Sequence, residues 1–517
     1  MPTTDSSSAD SVTGAQMPAR SLGDLPGPRG WPLIGSMPSL LPLSSSHLVA
    51  ERWASRYGEI YKFRAGRRQH VIVSDLDAIN AILRERPTRY RRWIEIERAF
   101  AEIDVPNVFA SEGESWKSQR RLTVTALNAN HLHRHFHVIR AAAERLHTRL
   151  LAAARTGASI DITQLFTAYA VDITSSLAFG YDLNALEHGD NELQRHIQFV
   201  FKMLNHRIFF PIPYWRWIKL RADRALEASL TAIRHDVADF VEQARERMAA
   251  RPELFDAPEN FLEAMLAAQR TDESFSDELI FGNTFGLLLA GEDTTSHTLA
   301  WTAWFLAQDE QVQARWAAEA QELLGEQTVP LDHELVGQLH YGEAVLRESM
   351  RLKSVANAIT LQPLVDVRIC GTDVPAGTRL ILQTRHAGAA PGGSDYDPER
   401  WLDTGAAPTP DQKTSLGFGA GPRFCPGRNL ALLEAKTALA TLARSFELEL
   451  DTSAGPVREH FAFTTVPLGL RVWVRERRAS RPRREQARAS AESDASAESH
   501  ASAESHASQP ATSITSA

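Results

Sequence analysis

One cysteine constrains this chain more than any other residue. Cys425 stands in Phe418-Gly419-Ala420-Gly421-Pro422-Arg423-Phe424-Cys425-Pro426-Gly427, directly ahead of an alanine- and leucine-rich stretch that reads as a helix. With 2 cysteines in 517 residues, neither a disulfide framework nor a four-cysteine zinc site is available. A lone thiolate can still serve as one axial ligand of a haem iron, donating electron density to it. The neighbours suit that chemistry. Gly421 and Gly427 permit tight turns that bring amide N–H groups toward the sulfur, and such hydrogen bonds tune a metal centre. The helix after Cys425 points its positive end at the sulfur and is expected to hold the thiolate deprotonated. Arg423 is placed to pair with a haem propionate. A buried structural cysteine beside a glycine-rich turn is the plainer alternative; it suits an isolated cysteine better than this decamer.

These residues resemble the haem-binding loop of the cytochrome P450 family, the haem-thiolate monooxygenases. The family pattern Phe-x-x-Gly-x-Arg-x-Cys-x-Gly is met at Phe418, Gly421, Arg423, Cys425 and Gly427, and the helix continues with Leu430, Ala431 and Glu434. The resemblance implies a mainly α fold with small β-sheets, built as one large unit around haem b, with Cys425 as the iron ligand.

Composition alone points elsewhere, because 517 residues exceed the roughly 250–300 at which single cores divide. The resemblance favours one haem-thiolate domain over residues 25–478. A net charge of −8 gives no case for nucleic acid. Met1 to Asp24 is rich in small polar residues and lacks an apolar run, so it reads as neither signal peptide nor transmembrane segment. Leu25 to Gly35 is similar to the proline-rich hinge that follows the anchor in membrane-bound relatives. A soluble, bacterial-type, cytoplasmic enzyme is therefore expected. Residues 1–24 and 479–517 read as disordered flanks, the second carrying one hexapeptide motif three times, from Ala489, Ala495 and Ala501.

Between the flanks, Glu59 to Asp75 alternates as a hairpin would, and Glu114 to Val345 is mostly helical in pattern. Ala222 to Ala250 shows the clearest three- and four-residue apolar spacing. Val365 to Leu382 is β-rich, with Pro375-Ala376-Gly377 as its expected turn.

Further constellations carry chemistry. Ala290-Gly291-Glu292-Asp293-Thr294-Thr295 interrupts an apolar helix with residues that weaken one. A threonine-capped kink is the plain account. The resemblance implies instead a helix crossing the haem face at Ala290 and Gly291, with Thr294 hydrogen-bonding dioxygen and Asp293 relaying protons. Glu348 and Arg351 share a helix face; with Arg400 in Tyr396-Asp397-Pro398-Glu399-Arg400-Trp401 they resemble the family's buried Glu–Arg–Arg network. Trp116 and Arg120, at i and i+4, resemble a pair that reaches a propionate. The arginine often found after the Glu-x-x-Arg helix is replaced around Leu361 and Gln362, which shifts the expected anchoring to Trp116, Arg120 and Arg423. The histidines at 131, 133, 135 and 137 read as a solvated surface, Phe209 to Trp217 as packing or an entrance cap, and Cys370 as inert.

The reading is a monooxygenase that inserts one oxygen atom into a small organic molecule of secondary or lipid metabolism. No redox segment is fused to the sequence, so NAD(P)H electrons are expected through a separate ferredoxin or flavodoxin and its reductase. The rivals are a peroxygenase, isomerase or dehydratase, which often lack the Asp–Thr pair, and a non-catalytic haem or ligand-binding protein.

Overall fold

The longest apolar segment forms the spine. Asp277–Leu306 is one helix of 30 residues, capped where the Ser276 hydroxyl accepts the Leu279 amide. It is apolar nearly all round, the signature of a helix buried on most sides. This central helix packs against Ile162–Phe179, His340–Leu352 and Arg428–Ser445. The structure is a computed structural model describing residues 20–477 except 190–191, 211, 273–274, 390–392 and 403–415.

The main sheet has five strands in the order Ile60–Ala65, Arg68–Val73, Arg379–Leu382, Ile359–Pro363 and Tyr90–Arg92. The first two form the expected hairpin. The last two are antiparallel, with Arg91 opposite Gln362 and Arg92 opposite Leu361. A second hairpin, Arg458–Ala462 with Thr464–Leu468, turns at Phe463, whose φ is +82°. It leans on the central helix: the Trp301 indole donates to the Thr465 carbonyl at 3.2 Å.

Mostly helical structure with small sheets agrees with the fold implied by the cysteine loop. Arg221–Ala250 forms the anticipated long helix. Two local expectations are corrected. The strands Val367–Ile369 and Thr372–Val374 turn at Cys370-Gly371, both at positive φ, whereas Pro375 to Gly377 leads on to a strand of the main sheet. Residues 20–24 are not a disordered flank. Leu22–Asp24 is a short 3-10 helix closed by Ser21 and Asp24, and Lys62 Nζ donates to the Leu22 carbonyl at 2.8 Å. The rest of that flank and residues 479–517 lie outside the described residues.

Proximity divides the chain into Met1–Arg475 and Glu476–Ala517. The first unit contains the elements described above. Of the second, Glu476 and Arg477 are described. Among the described residues, no helix is long and apolar enough to cross a membrane.

Candidate active site

The cysteine loop is shaped by close backbone approach. Gly421 has φ +69°, and a Cβ there would stand 2.1 Å from the Leu83 carbonyl oxygen. Only glycine satisfies both constraints. The Cys425 N–H donates to the Phe418 carbonyl at 2.9 Å, closing the loop. Gly427 departs from expectation. Its φ of −83° is open to any residue, and an added Cβ would meet Cys425 Sγ at an ordinary 3.9 Å. Its contribution is its amide, which with that of Arg428 hydrogen-bonds the sulfur at the start of Arg428–Ser445.

Burial raises the Cys425 thiol above its ordinary pKa, outweighing these two bonds and the nearby charges of Arg120 and Arg428. The helix end alone therefore does not keep the sulfur ionised, which corrects the sequence expectation. Metal coordination does deprotonate a thiol outright. Cys370 is pushed up to about 11 by burial, so it is an unreactive thiol.

The central helix runs unbroken through residues 290–295. The glycine within it has a packing cause: a Cβ on Gly291 would lie 2.7 Å from Thr174 Oγ1, on the helix Ile162–Phe179. The Thr294 hydroxyl donates to the Ala290 carbonyl at 2.6 Å, leaving its lone pairs free to accept. Burial pushes the neighbouring Asp293 carboxyl up to about 6, so it exchanges its proton near neutral pH.

The contacts around this segment escaped the sequence reading. Gln194 and Gln198 donate to Glu292 at 3.0 and 3.1 Å, tying Glu192–Phe209 to the central helix. Thr295 donates at 2.8 Å to Glu434, a fully buried carboxyl pushed up to about 8 by burial and thus protonated at neutral pH. His297 meets Thr464 at 3.0 Å and is held neutral, its pKa pushed down to about 4 by burial. The i, i+1 and i+5 offsets of Glu292, Asp293 and His297 were visible; their burial was not.

Glu348, Arg351 and Arg400 come together. Arg351 donates to both Glu348 oxygens at 2.8 and 2.7 Å, and Arg400 Nε to Oε1 at 3.0 Å. The Trp401 indole and the Asp397 amide add bonds of 2.8 and 3.0 Å to a carboxylate with 0% exposure. Burial alone would raise the Glu348 pKa, but the donors reverse it and the net direction is down. Arg351 also donates to the carbonyls of Ala389, Gly393 and Asp395, so one guanidinium fixes the chain that follows.

Trp116 and Arg120 occupy one helix, Gly113–Ala126, but face different partners. The Trp116 ring lies 4.4 Å from the Arg423 guanidinium. Arg120 donates to the Phe424 carbonyl at 2.7 Å, beside the cysteine. Arg423 bonds the Ser111 carbonyl at 2.9 Å and the Glu112 carboxylate, leaving its buried Nε without a partner. Buried, unpartnered Nε atoms recur on Arg86 and Arg92 close by. A haem group, with a thiolate-seeking iron and two carboxylates, fits these residues.

The remaining sequence features separate. His131 is buried rather than solvated and stacks on His135 with ring centres 4.5 Å apart. Among the described residues, no group of histidine, cysteine and carboxylate side chains could hold a metal ion. Within the aromatic stretch Trp215 is buried and donates to Glu102 at 2.7 Å, whereas Trp217 is 72% exposed.

A family model described as Cytochrome P450 matches residues 25–472. The putative cytochrome P450 CYP13A10 of Caenorhabditis elegans is 25% identical over 466 residues, covering 83% of this chain and 89% of its own length. Cytochrome P450 3A12 of Canis lupus familiaris is 26% identical over 468 residues, with 87% and 88% covered. Protein LUTEIN DEFICIENT 5, chloroplastic, of Arabidopsis thaliana is 25% identical over 419 residues, with 78% and 69% covered. These relatives are eukaryotic, so the expected soluble bacterial type finds no support among them.

Proposed function

The chain belongs to the cytochrome P450 family and is a haem-dependent monooxygenase, and from that premise we propose which residues do the work and on what kind of substrate. Cys425 is the iron ligand. Trp116, Arg120, Arg423, Phe418 and Gly427 would hold the haem from the cysteine loop and the helix beside it, and Ala290 and Gly291 of the central helix would line the rest of its site. The observation that carries this assignment is the single loop cysteine whose sulfur accepts two amides at a helix start, beside Arg120.

The haem iron supplies dioxygen activation and oxygen transfer. The chain supplies protons and position. Thr294 donates to the Ala290 carbonyl, which leaves its lone pairs free to act as acceptors. Asp293, near half-ionised close to pH 6, takes up a proton and passes it toward Thr294. Glu348, Arg351 and Arg400 fix the segment leading to the loop. Electrons come from NAD(P)H through a separate ferredoxin or flavodoxin and reductase.

The substrate is an apolar organic molecule of lipid or secondary metabolism, hydroxylated or epoxidised. Supporting this, Phe463 projects from the hairpin tip beside Thr464, the partner of His297 one turn past Thr294. Its ring lies 4.6 Å from Phe201 and 6.0 Å from Phe109. The test is spectroscopic: the ferrous–CO protein shows the red-shifted Soret band of thiolate-ligated haem, Cys425→Ser abolishes it and Cys370→Ser does not. The opposite pattern would remove Cys425 from its role.

A further inference from the structure

The strand that should carry the family's additional propionate arginine, Ile359–Pro363, has none, and Gln362 instead accepts the Ile94 amide at 3.3 Å. Its antiparallel neighbour is Tyr90–Arg92, with Arg92 directly opposite Leu361. The guanidinium of Arg92 lies 3.8 Å from the Phe109 ring, and its Nε has no hydrogen-bond partner. Arg86, 3% exposed, has neither Nε nor Nη2 partnered. Both belong to the surroundings of the cysteine loop: Gly421 touches the Leu83–Arg84 backbone just before Arg86, and Arg86 and Arg92 both feel the charge of Arg423.

The charges do not balance. Burial and the positive charges of Arg86 and Arg423 push the Arg92 pKa well down, and burial with Arg423 pushes Arg86 down to about 10. Arg423 is a third buried guanidinium, bonded to the Ser111 carbonyl and the Glu112 carboxylate with its Nε unpartnered. The carboxylate facing Arg86, Arg92 and Arg423 is Glu112, which also accepts the Arg92 amide at 3.0 Å. These three guanidiniums against that one carboxylate leave two positive charges. Arg91 is occupied elsewhere, on Glu97. Burying unpaired charge is costly, so a cluster of this kind implies an anion. Arginine is the side chain suited to bidentate carboxylate recognition.

We propose that the anchoring charge missing from Ile359–Pro363 has moved to the neighbouring strand and turn, so that Arg92 and Arg86 join Arg423 in holding the two haem propionates. This rests on the haem-binding reading above. Arg92 and Arg86 replace an arginine on a different strand, and Trp116 becomes a platform for Arg423 rather than an independent anchor.

The test compares haem with its propionate dimethyl ester. Wild type, Arg92→Met and Arg86→Met are reconstituted with each, and transfer to excess apomyoglobin is timed. With haem, each variant loses the group at least tenfold faster than wild type. With the diester, wild type and variants differ by less than about threefold, since the arginines then have no carboxylate to hold; tenfold corresponds to about 1.4 kcal/mol. Equal acceleration with both groups would mean packing alone, and no acceleration with haem would mean no contact. Either result overturns the proposal. The ferrous–CO band is recorded alongside: its absence from wild type defeats the Cys425 reading, whereas its persistence in variants with unchanged haem loss defeats this proposal alone.

Discussion

Asp293 is where stability and chemistry pull apart, and Asp293→Asn separates them. Burial raises this carboxyl from 3.8 to about 6. Below pH 3.8 the folded and unfolded chains both keep the proton, and the group adds no penalty. As pH climbs from there toward 6, the unfolded chain releases its proton more readily, so folding loses ground. Above about 6 the penalty is complete, and the displacement amounts to about 3 kcal/mol. At pH 5 roughly half of it has developed.

Asparagine has nearly the same volume and no charge, so it carries none of this penalty. Asp293→Asn is therefore more stable than wild type, and its advantage grows by about 1.4 kcal/mol between pH 5 and pH 8. The assay is the urea midpoint of the holoenzyme at both pH values, followed by tryptophan fluorescence, with m-values checked for equality. In the same preparations turnover falls, by roughly 10²-fold if the carboxylate delivers protons. An advantage that stays constant or shrinks with rising pH would refute the burial argument. A variant that gains stability and keeps full turnover would remove Asp293 from the proton path.

Gly291→Ala places a methyl 2.7 Å from Thr174 Oγ1 and 2.8 Å from its Cγ2. Thermal unfolding should show a loss of about 1–3 kcal/mol, with Thr174→Ala in the same chain recovering most of it. Glu348→Gln strands two guanidiniums and should cost roughly 3–5 kcal/mol at pH 7. Because the Glu348 pKa is lowered in the folded state, its stabilisation is present above the unfolded value of 4.5 and is lost as pH falls below it. The gap between wild type and variant in urea midpoints should therefore narrow at acidic pH.

What the sequence made legible is what short segments decide by themselves. The cysteine decamer, the three-residue spacing of Glu348 and Arg351, and the hairpin of residues 60–73 each carry their geometry locally. Arg400 was reachable because it stands in a recognisable hexapeptide; Trp401 closes that hexapeptide, but that its indole donates to the same carboxylate shows only in the fold. The residues after Ala19 were misread for a similar reason. Ser21-Leu22-Gly23-Asp24 is polar enough to look disordered, and what orders it is a lysine forty residues away along the chain. The charge of Arg91-Arg92 was visible, but its meaning lies in a strand pairing with Gln362 and Leu361 that no local pattern encodes.

Local reasoning also gave the wrong sign where burial competes with a nearby dipole. At Cys425 the helix start and two amides pull the thiol pKa down, yet desolvation pushes it up by more. At Arg86 and Arg92 desolvation and mutual repulsion act against the charged form, and Glu112 answers only part of it. The protein alone therefore accommodates both its sulfur and its guanidiniums poorly, on opposite grounds. A group that joins a thiolate-binding cation to two carboxylates relieves both at once, and anything that binds only the folded chain stabilises it in proportion to its affinity. The raised thiol and the surplus positive charge beside it thus make one joint demand on a ligand, and the relocation proposed above keeps the arginine charge next to the cysteine loop.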